Sequence, residues 1–452
     1  YQSDGQLDPT FNGSGKLFIN SNPDNYPTGN RRVMIQPDGK IVVPASYADT
    51  LQSYLLIYRF LEDGSPDNTF DGDGKVETPL GKYYFNPSAC VLQPDGKILV
   101  GGYIGGKNDS YDQFFIARYS TDGKLDKSFD GDGIVTTTVG EDYTHINALI
   151  IQPDGKIVAA GGATFNGHET LTLARYSSTG ALDHSFSGDG ITTAVFDEGE
   201  SRGMGCALLP NGKIICGGYV RLTSTALHGF AAACFNSDGT LDNTFNGDGK
   251  NTYLVSGHSD GAWDVALQPD GKILLGGYAH SDVQGSDMAI VRINGNGIPD
   301  NTFSDDGVAI YEDGPDFSSN INGMTLQPDG KVVTTGFHRI SGINSIVVAR
   351  MITGLTTSTA EPFQRVKELS VFPNPVHDQF EINYSLDQKQ SFSINLYDVQ
   401  GRLIQSMCPL TEHDPGPHHD DLRIDSQCPA GNYYLTLSSG QGSQSIKIVL
   451  DR

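Results

Sequence analysis

Apolar residues crowd both sides of the turn Gln36-Pro37-Asp38-Gly39-Lys40: Val33 and Ile35 precede it, Ile41 and Val43 follow it, and Met34 and Val42 stand between them. The same arrangement surrounds Lys97 (Cys90 and Leu92 before, Ile98 and Val100 after) and Lys156 (Leu149 and Ile151 before). Residues one and three places from the turn share one face of a hairpin. The intervening Val91, Ile150 and Leu99 are apolar too, so these strands are expected to be buried on both faces. Pro presets φ at the second turn position, and Gly accepts the left-handed conformation that completes the hairpin.

The turn recurs with Lys at 40, 97, 156, 213, 272 and 331, the fourth copy reading Leu209-Pro210-Asn211-Gly212-Lys213. A second landmark, Asp-x-Thr/Ser-Phe before a Gly/Asp turn, places Phe at 11, 70, 129, 186, 245 and 303. A third is a strand ending in Arg59, Arg118, Arg175, Arg292 and Arg350, with Cys234 in the fourth copy. Each unit reads as four strands: one after the Phe turn, two flanking Pro-Asp-Gly, one carrying the Arg. Strands sandwiched between neighbouring four-stranded sheets are what a propeller provides. A linear solenoid is the competing arrangement, but no atypical capping repeat stands at either end. The expected fold is all-β: a six-bladed β-propeller of four-stranded blades over residues 1–352, a linker at 353–368, and a small immunoglobulin-like β-sandwich at 369–452. The linker carries small polar residues from Thr353 to Pro362. The sandwich reading rests on alternation in stretches such as Phe380 to Tyr384 and Tyr433 to Leu437.

The Leu-Asp-x-Thr-Phe, Gly-Asp-Gly and Gln-Pro-Asp-Gly-Lys-Ile landmarks resemble the delta-60 repeats of exported bacterial proteins, a resemblance that implies surface location and carries over no catalytic residue. The tail resembles the type A C-terminal sorting domain of the type IX (Por) secretion system. It matches at Val371-Phe372-Pro373-Asn374-Pro375, at Tyr397 to Gly401-Arg402, at Pro429-Ala430-Gly431-Asn432-Tyr433, and at Lys447-Ile448-Val449. This implies Sec-dependent passage through the periplasm and then transfer by the translocon and its shuttle and attachment proteins, which would grip residues 369–452. The destination is the outer-membrane surface or the extracellular space. The start at Tyr1 rather than Met is what removal of a targeting segment would leave.

Composition narrows the partners. A formal net charge of -24 offers no Lys/Arg cluster for a nucleic-acid backbone or an anionic membrane, and no apolar run is long enough to span a bilayer. Asp67, Asp71 and Asp73, echoed in later copies, place oxygen donors at short intervals as a calcium loop would. The spacing is not that of an EF-hand, however, and Asp-Gly is common turn chemistry, so the turn reading leads. His413, Asp414, His418, His419, Asp420 and Asp421 lie in an insertion-like stretch, read as a solvated loop before a metal site. Cys408 and Cys428 flank that stretch and are candidates for a disulfide in an oxidising compartment. Cys206 and Cys216 fall opposite each other in the hairpin register and are read first as reduced core residues. Gly101 to Lys107 resembles a phosphate loop but has Asn108 in place of Ser/Thr and no following helix. The recurrent Arg reads as a structural partner of the recurrent Asp, since a unique active site would not repeat.

If four strands alternate in each blade, both recurrent turns share one end. The variable loops at 21–30, 79–86, 105–112, 141–145, 196–202, 221–228, 256–263 and 311–319 share the other. That face offers Tyr83, Tyr84, Tyr111, Tyr143, His145, Glu198, Glu200, Arg202, Trp263, Tyr311 and Asp316. The expected function is binding of a glycan or protein ligand there, as a surface adhesion protein. The alternative is a secreted polysaccharide hydrolase or lyase using paired acids such as Glu198 and Glu200.

Overall fold

The computed structural model describes the chain apart from residues 1–5, 20–27, 30–31, 50–51, 82–83, 106–111, 197–198, 223–226, 282–284, 312–316, 328–329, 341–342, 352–365, 387–388, 399–401, 440–441 and 452. The described residues form strands and turns and no helix. Six antiparallel sheets follow one another along the first part of the chain. Blade 2 is typical: Tyr84–Leu92, Ile98–Gly105, Gln113–Tyr119 and Ile134–Thr137 pair in sequence order. Blades 3, 4 and 5 repeat this order from His145, Ser201 and Gly261. Blade 1 runs from Thr28 to Pro79 and blade 6 from Phe317 to Met351.

Each sheet is shifted by one strand from the unit read in the sequence. The strand after a Phe turn does not open a blade but completes the preceding one, as Ile134–Thr137 does by pairing with the strand that carries Arg118. The intervening turn acts as an ordinary hairpin connection, so hydrogen bonding joins the two strands that it links.

That turn also joins neighbouring blades. In blade 1, the Arg59 guanidinium donates from Nε to Asp67 at 2.7 Å, from Nη2 to the Thr69 hydroxyl, and from Nη1 to the Thr121 carbonyl of blade 2 at 2.6 Å. It also covers the Phe70 ring at 4.4 Å. Arg118 and Arg175 repeat this with Asp126 and Asp183, reaching the carbonyls of Ser178 and Ser237 in the next blade. The Phe rings are fully buried, and a Cβ on Gly123 of the following blade would stand 3.1 Å from Phe70. In blade 4, where Cys234 replaces the Arg, Lys213 moves in to 2.6 Å from Asp242. The inferred Arg-Asp partnership is therefore present, and it reaches across blade boundaries as well.

The innermost strands of blades 2 to 5 carry a bulge each, between Pro87 and Ala89, Ile146 and Ala148, Gly203 and Gly205, and Ala262 and Asp264. A bulge adds one residue and re-aims its side chain. Ser88, Asn147, Met204 and Trp263, joined by Arg32 of blade 1 and Asn322 of blade 6, line one small cavity. One residue from every sheet meeting in one cavity places the six sheets around a common axis. Asn147 donates to the Gly203 carbonyl at 2.8 Å, and Arg32 grips Asp264 with both terminal nitrogens at 3.0 and 2.8 Å.

Five hydrophobic cores fill the interfaces from blades 1/2 to 5/6, and none among the described residues bridges blades 6 and 1. Ile35 is 71% exposed where its counterparts Leu92 and Ile151 are 6% exposed, and Ile346 is 83% exposed where Phe114 and Leu171 are fully covered. Among the described residues, blade 6 has no outermost strand. By repeat position that strand is Lys16–Ile19, which makes no sheet pairing, although the Phe11 turn before it docks on blade 1 through Asn12 N-H to the Asp63 carbonyl.

The second unit begins at Lys367, just inside the expected linker, and packs two sheets around one core. One sheet holds Lys367–Phe372, Gln379–Leu386 and Gly416–Arg423; the other holds Leu403–His413, Gln390–Asp398, Gly431–Ser439 and Gly442–Leu450. The stretch expected to be a loop between Cys408 and Cys428 is mostly two strands, one in each sheet, and their pairing with Gln390–Asp398 and Gln379–Leu386 holds it in place.

Candidate functional site

The strand order places both recurrent turns at one end of each sheet and the variable connections at the other. At the variable end, an arc of side chains crosses blades 2, 3 and 4. Its residues come from the starts of the innermost strands, from one position on the second strands, six residues after the turn Lys, and from the start of the third strand, which carries Glu169. That position holds Ser46, Tyr103, Gly162, Tyr219, Tyr278 and Phe337 in the six blades.

Tyr103 lies against Tyr84 with ring centroids 5.8 Å apart, and against His145 of blade 3 edge-on at 5.9 Å. His145 Nε2 stands 3.0 Å from Glu169 Oε1. Arg202 of blade 4 grips both oxygens of Glu169, at 2.5 and 2.6 Å, while its guanidinium faces the Tyr219 ring at 5.7 Å. Tyr219 meets His228 edge-on at 5.4 Å. Gly162 makes this possible: a Cβ there would come within 2.5 Å of Glu169 Oε1. Where four other blades put an aromatic ring, blade 3 has left room for a carboxylate.

Burial would raise the Glu169 pKa, but the hydrogen bonds from His145 and Arg202 outweigh it and hold the carboxyl below its usual range. Asp112 is shifted the other way. Burial raises it, Asp142 adds to the rise, and His145 opposes it. Tyr103 is raised by burial and by its neighbour Tyr84, so it is a neutral phenol at physiological pH.

Of the residues expected on this face, Tyr84, His145 and Arg202 are in the arc, and Tyr143 is an exposed tip beside it. Glu200 pairs with Arg221 at 3.5 Å on the open surface. Tyr311 packs against the core between blades 5 and 6, and Trp263 lines the axial cavity as a bulge residue. Tyr83, Tyr111, Glu198 and Asp316 lie outside the described residues. Glu169, Tyr103 and Tyr219 were not anticipated. Alignment of the six copies on the turn Lys would have exposed the two tyrosines and the odd glycine.

The Asp67 carboxylate is engaged by Arg59, Lys40 and Thr69. Asp73 caps the Lys75 amide, and the Asp71 amide donates to the Asp122 carbonyl of the next blade. Among the described residues no group of three or more His, Cys, Asp or Glu side chains is placed to hold a metal ion. His413 instead stacks on Phe392 at 4.2 Å and meets the Tyr384 hydroxyl, which donates to Asp420; His418 stacks on Tyr384. Cys206 and Cys216 are direct cross-strand partners, as the register required; neither this pair nor Cys408 and Cys428 is joined by a disulfide.

In the second unit, Asn374 accepts the Val449 amide and donates to the Lys447 carbonyl, tying the Pro373-Asn374-Pro375 segment to the last strand. Asp398 binds both the amide and the guanidinium of Arg402. Tyr433 is buried and donates to the Pro429 carbonyl, and Gly431 opens its strand. Gly401 lies outside the described residues, and Lys447 is exposed.

Residues 370–451 match the secretion system C-terminal sorting domain. Residues 36–70, 93–129, 152–186, 209–245 and 268–303 match the domain of unknown function (DUF5122) β-propeller. No curated protein sequence matches the chain. Among solved structures, PorZ, a surface component of the type IX secretion system of Porphyromonas gingivalis, is 12% identical, with a TM-score of 0.28 over 94% of this chain. The present chain spans 59% of the length of that protein. The propeller domain of the Trilobed protease from Pyrococcus furiosus is 11% identical, covering 80% of this chain and 89% of that one, with a TM-score of 0.38. The GH93 α-L-arabinofuranosidase of Fusarium graminearum is 10% identical, covering 71% and 91%, with a TM-score of 0.41. Likenesses this distant carry no functional argument.

Proposed function

From a chain that carries a secretion system C-terminal sorting domain behind DUF5122-type propeller repeats, we propose an exported binding protein that presents the variable end of its propeller to a ligand. The sorting domain marks the chain for type IX secretion to the cell surface or extracellular space. The observation supporting the binding role is the arc from Tyr84 to Tyr219, in which aromatic rings flank a carboxylate fixed from two sides. Rigid strands hold these groups in place before any ligand arrives, which lowers the ordering cost of binding. With Glu169 held ionised, the arc favours recognition over proton transfer.

A second reading rests on Asp112: it and Glu169 both interact with His145, and one carboxyl is raised while the other is lowered, the separation expected of an acid and a stabilising carboxylate. Two measurements test the choice. A chain cut after 369 is expected to remain in the periplasm, and its appearance at the surface would overturn the export role. The intact chain is expected to leave polysaccharides and peptides uncut. Turnover abolished by Asp112→Asn or Glu200→Gln would replace binding with catalysis.

A further inference from the structure

Building on the binding role proposed above, we infer that the arc formed by Tyr84, Tyr103, His145, Glu169, Arg202 and Tyr219 is a binding site for an uncharged oligosaccharide. The argument begins with charge. The two arginines at this part of the face are both compensated, Arg202 by Glu169 and Arg221 by Glu200. Asp112 stands near both His145 and Asp142, and the chain as a whole carries -24. Among the described residues, a uronate, sulfated glycan or nucleic acid would find no uncompensated arginine here and a repulsive field around it.

Geometry removes a second class. An extended peptide joins a propeller most readily by adding to a free strand edge. The arc lies at the ends of strands, and its members sit on inner, second and third strands already paired on both sides or stacked at the axis. The unpaired edges of the innermost strands face one another around the narrow axial cavity.

What remains suits a neutral sugar. Its ring presents a C-H face to an aromatic side chain and hydroxyls at the edge to fixed polar groups. Tyr84 is 54% exposed and Tyr103 backs it, giving a wall with a free face. Along the same arc, a carboxylate already oriented by a guanidinium fork offers acceptor lone pairs and neighbouring N-H donors in fixed directions, matching vicinal hydroxyls. Because the contacts pass through three blades in sequence, the arc fits several linked sugar units.

The experiment is retention and titration of the full chain on laminarin, xylan and mannan as neutral probes, with alginate and chondroitin sulfate as acidic ones. At least one neutral polymer is expected to bind, with little sensitivity to added salt. Tyr103→Ala and Glu169→Gln are expected to weaken that binding by about tenfold or more, as for buried anchors. Tyr84→Ala removes a half-exposed ring with little structural role, so it tests the wall even if Tyr103→Ala destabilises the fold. Arg221→Ala is expected to change affinity less than twofold, being outside the arc. Preferential, salt-sensitive binding of the acidic polymers would overturn the inference. So would neutral binding that survives both Tyr84→Ala and Glu169→Gln. Retention on none of the polymers would also overturn it, leaving the broader binding role to the export and turnover measurements.

Discussion

Asp67 is 3% exposed yet serves three partners: Thr69, whose amide and hydroxyl it accepts, Arg59 and Lys40. Burial alone would raise its pKa, and these partners more than reverse that, bringing it down to about 2. Asp126 and Asp183 are lowered in the same way. A carboxyl depressed in the folded state stabilises above its unfolded pKa of about 3.9 and loses that stabilisation as pH falls through the folded value. Thermal midpoints are therefore expected to hold down to about pH 4 and to fall steeply towards pH 2, and Asp67→Asn should flatten that fall. Arg118→Ala strands a nearly buried Asp126 and releases the Ser178 carbonyl of the next blade, so a loss of about 3 kcal/mol is expected in denaturant melts. Blade 4 supplies a comparison. Lys213 stands in for the missing Arg, so Lys213→Ala should cost about 1 kcal/mol more than Lys156→Ala, whose Asp183 keeps Arg175. Recurrence along the chain already pointed to the Arg-Asp pair. The carbonyl that the same Arg reaches, about sixty residues away, leaves no local mark in either segment.

At the scale of strands and turns, the bulged inner strand decides which glycines are needed. The position five residues after the turn Lys is Gly in five blades, and a Cβ on Gly161 or Gly218 would stand 1.8 Å from the His145 or Arg202 carbonyl. Gly161→Ala is expected to destabilise by about 3 kcal/mol or more, whereas Gly167→Ala, with open space around it but φ of +77, should cost less. Chemical denaturation of the two variants separates them. The Pro-Asp-Gly hairpins and the two-faced burial of their strands were readable because turn chemistry and short continuous apolar runs are local. The bulges were not, since which carbonyl crowds the second strand depends on how six strands converge at the axis. The same limit hid the arc. His145 and Arg202 drew notice as loop-end residues, but Glu169 becomes meaningful only once a neighbouring blade brings Arg202 to it.

For the whole molecule, the interface between blades 6 and 1 stands apart. Ile35 and Ile346 are exposed at positions that blades 2 and 3 bury, and the outer-strand residues Lys16–Ile19 make no strand pairing among the described residues. The register of blade 2, Ile116 opposite Val135, places Leu17 opposite Val348 by repeat position. Closing the ring that way would cover this apolar surface, so Leu17→Cys with Val348→Cys is expected to cross-link under mild oxidation, read as a linked peptide by mass spectrometry. Absence of the link while the fold is intact would mean that the ring stays open in solution. The sequence by itself determined the repeat, its turns, the strands they join, the sorting tail and the end of the propeller that varies, because all of these are written in short-range periodicity and motif order. Only the tertiary structure decided that each sheet is offset by one strand from the repeat, that Trp263 belongs to the axis, and that Tyr103, Glu169 and Arg202 from three blades form one arc. Those outcomes depend on contacts between residues far apart in the chain, where packing chooses among partners that local pattern leaves equivalent.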